Sequence, residues 1–74
     1  MAYTFLTELQ SRPDGIVNST LTTRSSLATG LALFYQRAAV AVTSKDFTQV
    51  ELCLMDADGN IIENRRIDTL YGEE

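Results

Sequence analysis

Between Ser25 and Thr43 the chain reads SSLATGLALFYQRAAVAVT, and its apolar residues return every three or four positions. At roughly 100° per residue, Leu27, Leu31, Phe34, Ala38 and Val42 fall on one stripe, flanked by Tyr35 and Ala41. That period predicts a helix over 25–43 with this stripe facing a core. Hydroxyls from Thr23 to Ser26 can cap its first free amides, and Lys45 follows near the negative end of its dipole. Ser26, Thr29, Gln36 and Arg37 make the opposite side partly polar, yet Leu33 and Val40 interrupt it. A helix apolar on two sides is ordinarily buried on both. Gly30 costs about 1 kcal/mol relative to Ala in a helix interior, but it lets another backbone come close.

The flanking segments follow a period of two. In 2–10, Tyr3, Phe5, Thr7 and Leu9 alternate with Thr4, Leu6, Glu8 and Gln10, which predicts a strand. Phe5, Leu6 and Leu9 also fit a short helix over 4–10. Arg12-Pro13-Asp14-Gly15 favours the strand, because Pro presets φ in a turn and Gly supplies positive φ. Residues 16–23 are rich in β-branched side chains and predict a second strand, with Val17 and Leu21 facing one way. Beyond the helix, 48–56 sets Val50, Leu52 and Leu54 against Gln49, Glu51, Cys53 and Met55. Asp56-Ala57-Asp58-Gly59-Asn60 is a hairpin signal. Residues 60–68 return as a fourth strand, in which Ile61 and Ile67 share one phase and Ile62 takes the other, before a tail at 72–74. The expected architecture is one α+β domain over 1–74. Its ββαββ order gives two β-hairpins forming an antiparallel sheet, with one central helix packed on one face.

Size limits what such a domain can bury. A chain of 74 residues buries only about 60% of its unfolded surface, and domains this small usually lean on disulfides, a metal or self-association. Cys53 is the only cysteine, and there is no histidine to help build a structural zinc site. Completion by homo-oligomerisation is therefore expected, with Leu33, Gln36, Arg37 and Val40 as the candidate interface on the outer side of the helix.

Charge is unevenly placed. Residues 1–45 hold Glu8 and Asp14 against Arg12, Arg24, Arg37 and Lys45. Residues 46–74 hold eight acids, Asp46, Glu51, Asp56, Asp58, Glu63, Asp68, Glu73 and Glu74, against Arg65 and Arg66 alone. Binding of double-stranded nucleic acid would need the opposite balance, whereas an acidic half suits a partner protein with a basic surface. Gln36 and Arg37 interrupt the best apolar run, so no membrane association is expected. Met1-Ala2-Tyr3-Thr4 lacks the basic start of a signal peptide, and a cytoplasmic location follows as the expectation. Without a secretory signal, the Asn18-Ser19-Thr20 glycosylation pattern is read as coincidence.

Candidate chemistry is sparse. The Asp56–Asn60 stretch opens like a calcium loop, but positions six and twelve are Ile61 and Ile67 where an EF-hand needs Gly and Glu. No metal or cofactor is expected. Absence of histidine removes the commonest general base, and Cys53 in an apolar strand reads as structural. No catalytic residue is therefore nominated. The strongest small-ligand feature is Thr23, Arg24, Ser25 and Ser26 at the helix start, where free amides, hydroxyls and a guanidinium suit an anion. Tyr35 is the candidate aromatic partner for a phosphorylated or nucleotide-like ligand held between subunits. Two functions are expected from this pattern. One is a small acidic non-enzymatic module that binds, and modulates or inhibits, a partner protein as a homo-oligomer; the other is an anion-binding protein.

Overall fold

The computed structural model describes residues 3–71, and the tail expected at 72–74 lies outside them. Strands β1 (Thr4–Ser11) and β2 (Val17–Arg24) precede helix α1 (Leu27–Val42), and β3 (Gln49–Asp56) and β4 (Ile61–Asp68) follow it. The ββαββ order expected from the periodicities is the one observed, and 4–10 is strand, not helix. All neighbouring strands are antiparallel, in the order β2-β1-β3-β4. Two hairpins thus lie side by side with their first strands, β1 and β3, at the centre. β2 and β3 run in the same direction with β1 between them, so α1 is the crossover of a split β-α-β unit.

The turn chemistry explains the hairpins. Gly15 and Gly59 take φ of 90° and 88°, where a side chain would be strained. Asp14 Oδ1 accepts from the Ile16 amide at 3.0 Å. Asp56 Oδ1 accepts from the Asn60 and Asp58 amides at 2.9 Å each, closing an Asx turn. The Asn60 amide in particular holds the Asp56 carboxyl below the ordinary carboxylate range.

The core lies between α1 and the two central strands. Leu6, Phe34, Ala41, Val50, Leu52, Leu54 and Ile67 are buried, with Leu31, Leu33, Ala38, Phe47 and Ile62 packed against them. Two sequence expectations are corrected here. First, the helix phase is rotated. Gly30, Phe34 and Ala41 are its buried residues, while Leu27 and Val42, expected in the core stripe, are exposed. The rotation carries Leu33 and Arg37 towards the sheet and leaves Leu27, Tyr35 and Val42 outside. Second, Ile61 and Ile67 do not share a face. A register shift at Leu54/Met55 inserts an extra residue in β4, so Ile67 and Ile62 face the helix and Ile61 faces away.

The rotation has an identifiable cause at Gly30. A Cβ there would stand 2.9 Å from Thr4 Cβ, nearer still to Thr4 Oγ1, and 3.4 Å from Leu54 Cδ1. The first turn of the helix therefore rests directly on β1. Buried Thr4 donates from Oγ1 to the Ser26 carbonyl at 3.2 Å, fixing the helix start to the first residue of β1. Ser26 is the N-cap, and its Oγ accepts from the Thr29 amide at 3.2 Å.

Gly30→Ala is expected to destabilise the domain although alanine is the better helix former. Overpacking of this kind costs about 1–3 kcal/mol, against about 1 kcal/mol gained in propensity. Urea titration should show a lower midpoint, and Thr4→Ala placed on the same background should recover part of the loss. A Gly30→Ala protein as stable as wild type would show that the contact at Thr4 does not set the helix position.

Candidate functional site

The residues proposed for an anion site are not all brought together. Thr23 and Arg24 end β2, Ser25 is an exposed linker residue, and Ser26 caps α1. Their polar groups have local partners. Arg24 Nη1 donates to the Thr23 carbonyl at 3.1 Å, and Ser26 Oγ is shared between the Thr29 amide and the Thr29 hydroxyl. Tyr35 lies nine residues beyond the cap, roughly 13 Å further along the helix axis at about 1.5 Å per residue. The candidate interface residues separate as well. Leu33 packs against the core and Arg37 pairs with Glu8, leaving Gln36 and Val40 exposed.

Glu8 is the residue the sequence reading passed over. It occupies the inward phase of β1 after Thr4 and Leu6, and it is 4% exposed. A carboxylate on an apolar phase requires a partner, and the rotated helix supplies one. Arg37 Nε donates to Glu8 Oε1 at 2.8 Å and Nη2 donates to Oε2 at 2.9 Å, a bidentate pair. Gln10 Nε2 also donates to Glu8 Oε2. The Arg37 hydrogen bonds, opposed by burial, hold the Glu8 carboxyl below its ordinary range and lift the Arg37 guanidinium above its own. With its oxygens committed in this way, Glu8 is a weak base.

The pair marks the limit of helix cover. Beyond it the inward positions of β2 are Asn18, Thr20, Thr22 and Arg24, facing Gln10, Glu8, Leu6 and Thr4. Polar strand residues give α1 no reason to extend over them. An open groove of about 300 Å³ results, lined by Leu6, Glu8, Gln10, Thr20, Thr22, Leu33 and Arg37.

The other side of the sheet carries no helix. Its residues follow from the register: Phe5 lies between Thr23 and Met55, and Thr7 between Leu21 and Cys53. Leu9 lies between Ser19 and Glu51, and Ser11 between Val17 and Gln49. Ile61, Asn64, Arg66 and Asp68 complete these rows on β4. Leu21 is 66% exposed, Ile61 60% and Val17 55%, while Phe5, Leu9, Cys53 and Met55 are half-buried by their neighbours. This surface is mixed, with an apolar patch of Phe5, Leu21, Met55 and Ile61 towards one end and polar residues towards the Ser11–Gln49 end, and no part of the described chain covers it. Sequence alternation contained a signal for it, because Phe5 and Leu9 are out of phase with Leu6, and Met55 with Leu54. Both faces of the central strands therefore carry apolar residues.

Among the described residues, no three His, Cys, Asp or Glu side chains gather as a metal-ligand cluster, and no helix is long and apolar enough to cross a membrane. What the geometry offers is surface: an acidic β3–β4 hairpin, a narrow groove beside Glu8, and a broad apolar sheet face.

Arg37→Met is expected to cost about 3 kcal/mol at neutral pH, because it strands a buried carboxylate. The sign of its pH dependence follows from the lowered Glu8 pKa. The ion pair's contribution is present above the unfolded carboxyl's pKa of about 4.3. It disappears as pH falls below that value through the folded one. Urea unfolding at pH 7 and near pH 3 should therefore show a large gap between wild type and variant that narrows in acid. An equal gap at both pH values would exclude the pair as its source.

Comparison with protein-family models, curated proteins and solved structures finds no match to this chain.

Proposed function

We propose that the domain is a non-enzymatic interaction module that associates with itself and binds a partner protein bearing a basic surface, modulating or inhibiting it. The observation that carries this reading is the apolar sheet face left without a covering layer. Contiguous apolar surface on a small domain ordinarily marks an interaction site. Most of the surplus acids lie in a different region, where Asp46 precedes β3, Asp56 and Asp58 shape the β3–β4 turn and Glu63 follows on β4, while Glu51 and Asp68 sit at one corner of the sheet face. An apolar surface for assembly and an acidic hairpin for recognition divide the two tasks. A buried carboxylate held by Arg37 and a lone cysteine without a histidine supply no acid–base pair for catalysis. The anion-binding alternative loses ground because Tyr35 stands well away from Arg24 and Ser26.

Sedimentation at micromolar concentration should report an oligomer, and a monomer there would refute self-association. For the partner, captured protein should elute as ionic strength rises, since screening shortens from about 10 Å at 0.1 M to about 3 Å at 1 M salt. An Asp58→Lys, Glu63→Lys bait should capture less of it. Capture indifferent to both salt and charge reversal would remove the acidic hairpin from recognition.

A further inference from the structure

The uncovered sheet face is broad enough, and near enough to neutral, to be matched by a copy of itself. Eight-residue strands rising about 3.3 Å per residue, four of them about 4.8 Å apart, give a face of roughly 19 by 26 Å, on the order of 500 Å². Two such faces bury about 1,000 Å² before side-chain relief is counted, which is where specific interfaces begin.

Charge selects the occupant. The charged residues of this face are Glu51, Arg66 and Asp68, a net of −1 from two acids and one base, confined to the β3–β4 corner. The remainder is uncharged: Phe5, Leu21, Met55 and Ile61 form an apolar patch towards one end, with hydroxyl and amide side chains such as Ser19, Gln49 and Asn64 around it. A basic partner finds little here to recognise, while a second nearly neutral surface of the same kind meets only weak repulsion at one corner. The outer side of the helix exposes Leu27, Tyr35 and Val42, but it is the narrower surface: 16 residues rising about 1.5 Å each on a helix about 10–12 Å across present roughly half the area of the sheet face.

We infer that two copies of this chain pack sheet against sheet through the face bearing Phe5, Leu21, Met55 and Ile61, forming a twofold dimer with a helix on each outside. This rests on the reading that the domain self-associates, and it names the surface and the occupant. Aligned sheets pack about 10 Å apart and about 30° from parallel. The result is a four-layer α-β-β-α particle with Thr7 and Cys53 of both copies inside. The acidic turns and the Glu8 groove remain outside and free for a partner.

Cys53 reports on this arrangement, since it lies on the face and is the only cysteine. Sedimentation equilibrium should give twice the chain mass for wild type. Leu21→Asp and Ile61→Lys, both at exposed positions away from the core, should be monomeric with an unchanged far-ultraviolet circular dichroism spectrum. Tyr35→Asp, on the outer side of the helix, should remain dimeric. A thiol reagent should modify Cys53 several-fold more slowly in wild type than in Leu21→Asp under native conditions. A wild-type monomer would overturn both this dimer and the reading beneath it. A dimer that survives Leu21→Asp and Ile61→Lys, or whose Cys53 reacts as fast as in those variants, would overturn the sheet-face arrangement alone and leave self-association through another surface. If Leu21→Asp loses its native spectrum, Ile61→Lys and the Cys53 rates still decide between these outcomes.

Discussion

Contact between Gly30 and Thr4 decides where everything else in this fold can go. The missing side chain at Gly30 lets the helix backbone settle on β1, and the Thr4 hydroxyl ties the helix start to the same strand. With its first turn held there, Phe34 and Ala41 point into the space above Leu52, Leu54 and Val50, forming the core. Rotation about the helix axis is then no longer free. Leu33 and Arg37 come down on the β2 side, and Arg37 meets Glu8. The ion pair is thus a consequence of the glycine contact as well as a support for it. A helix turned some 50° the other way would bury Leu27 and Val42 but strand Glu8 without its guanidinium.

Geometry accounts for the open surfaces. A helix is about 10–12 Å across with its side chains, and four strands spaced about 4.8 Å apart are wider than that. One helix covers the middle of such a sheet and little more. Here the choice of uncovered strand is made by residue type: β4 offers Ile62 and Ile67 to the helix side, whereas β2 offers Asn18, Thr20 and Thr22. The groove beside Glu8 follows from that imbalance. Among the described residues there is no second helix to cover the opposite face of the sheet. Each of its exposed apolar positions is therefore a cost that these elements leave in place.

The element order, both hairpins and the strand reading of 4–10 were legible because they depend on local rules. Alternation, the Pro-Asp-Gly turn and the Asp-Gly turn act over a few residues. The helix phase was not legible, because two apolar stripes compete on α1. The winner is chosen by Gly30 against Thr4, 26 positions away, and by Arg37 against Glu8, 29 positions away. Ile61 was misplaced for a related reason. A bulge reverses the facing of every residue beyond it, and nothing in the Ile61-Ile62-Glu63 stretch announces one. The clue left unread was Glu8 itself. An acid in phase with Leu6 and Thr4 implied a buried partner, and Arg37 is the only basic residue of the helix.

These same corrections move the functional argument from the helix to the sheet. In the sequence Leu33 and Val40 mark a second apolar side of the helix, but in the fold Leu33 belongs to the edge of the core and Val40 is exposed. Apolar surplus lies on the strands as well as on the Leu27, Tyr35 and Val42 side of the helix, and on the central strands Phe5, Leu9 and Met55 occupy the phase opposite Leu6 and Leu54. A two-stripe helix and a two-faced sheet look alike in composition, yet they lead to different assemblies. Helix-mediated association would bring α1 of each copy together and leave the sheet face uncovered. Sheet-mediated association leaves α1, the groove and the acidic β3–β4 turn all facing solvent. Sheet packing leaves the Asp56–Asp58 turn accessible while the apolar patch is buried, so the proposed assembly and the proposed partner recognition are geometrically compatible in this fold.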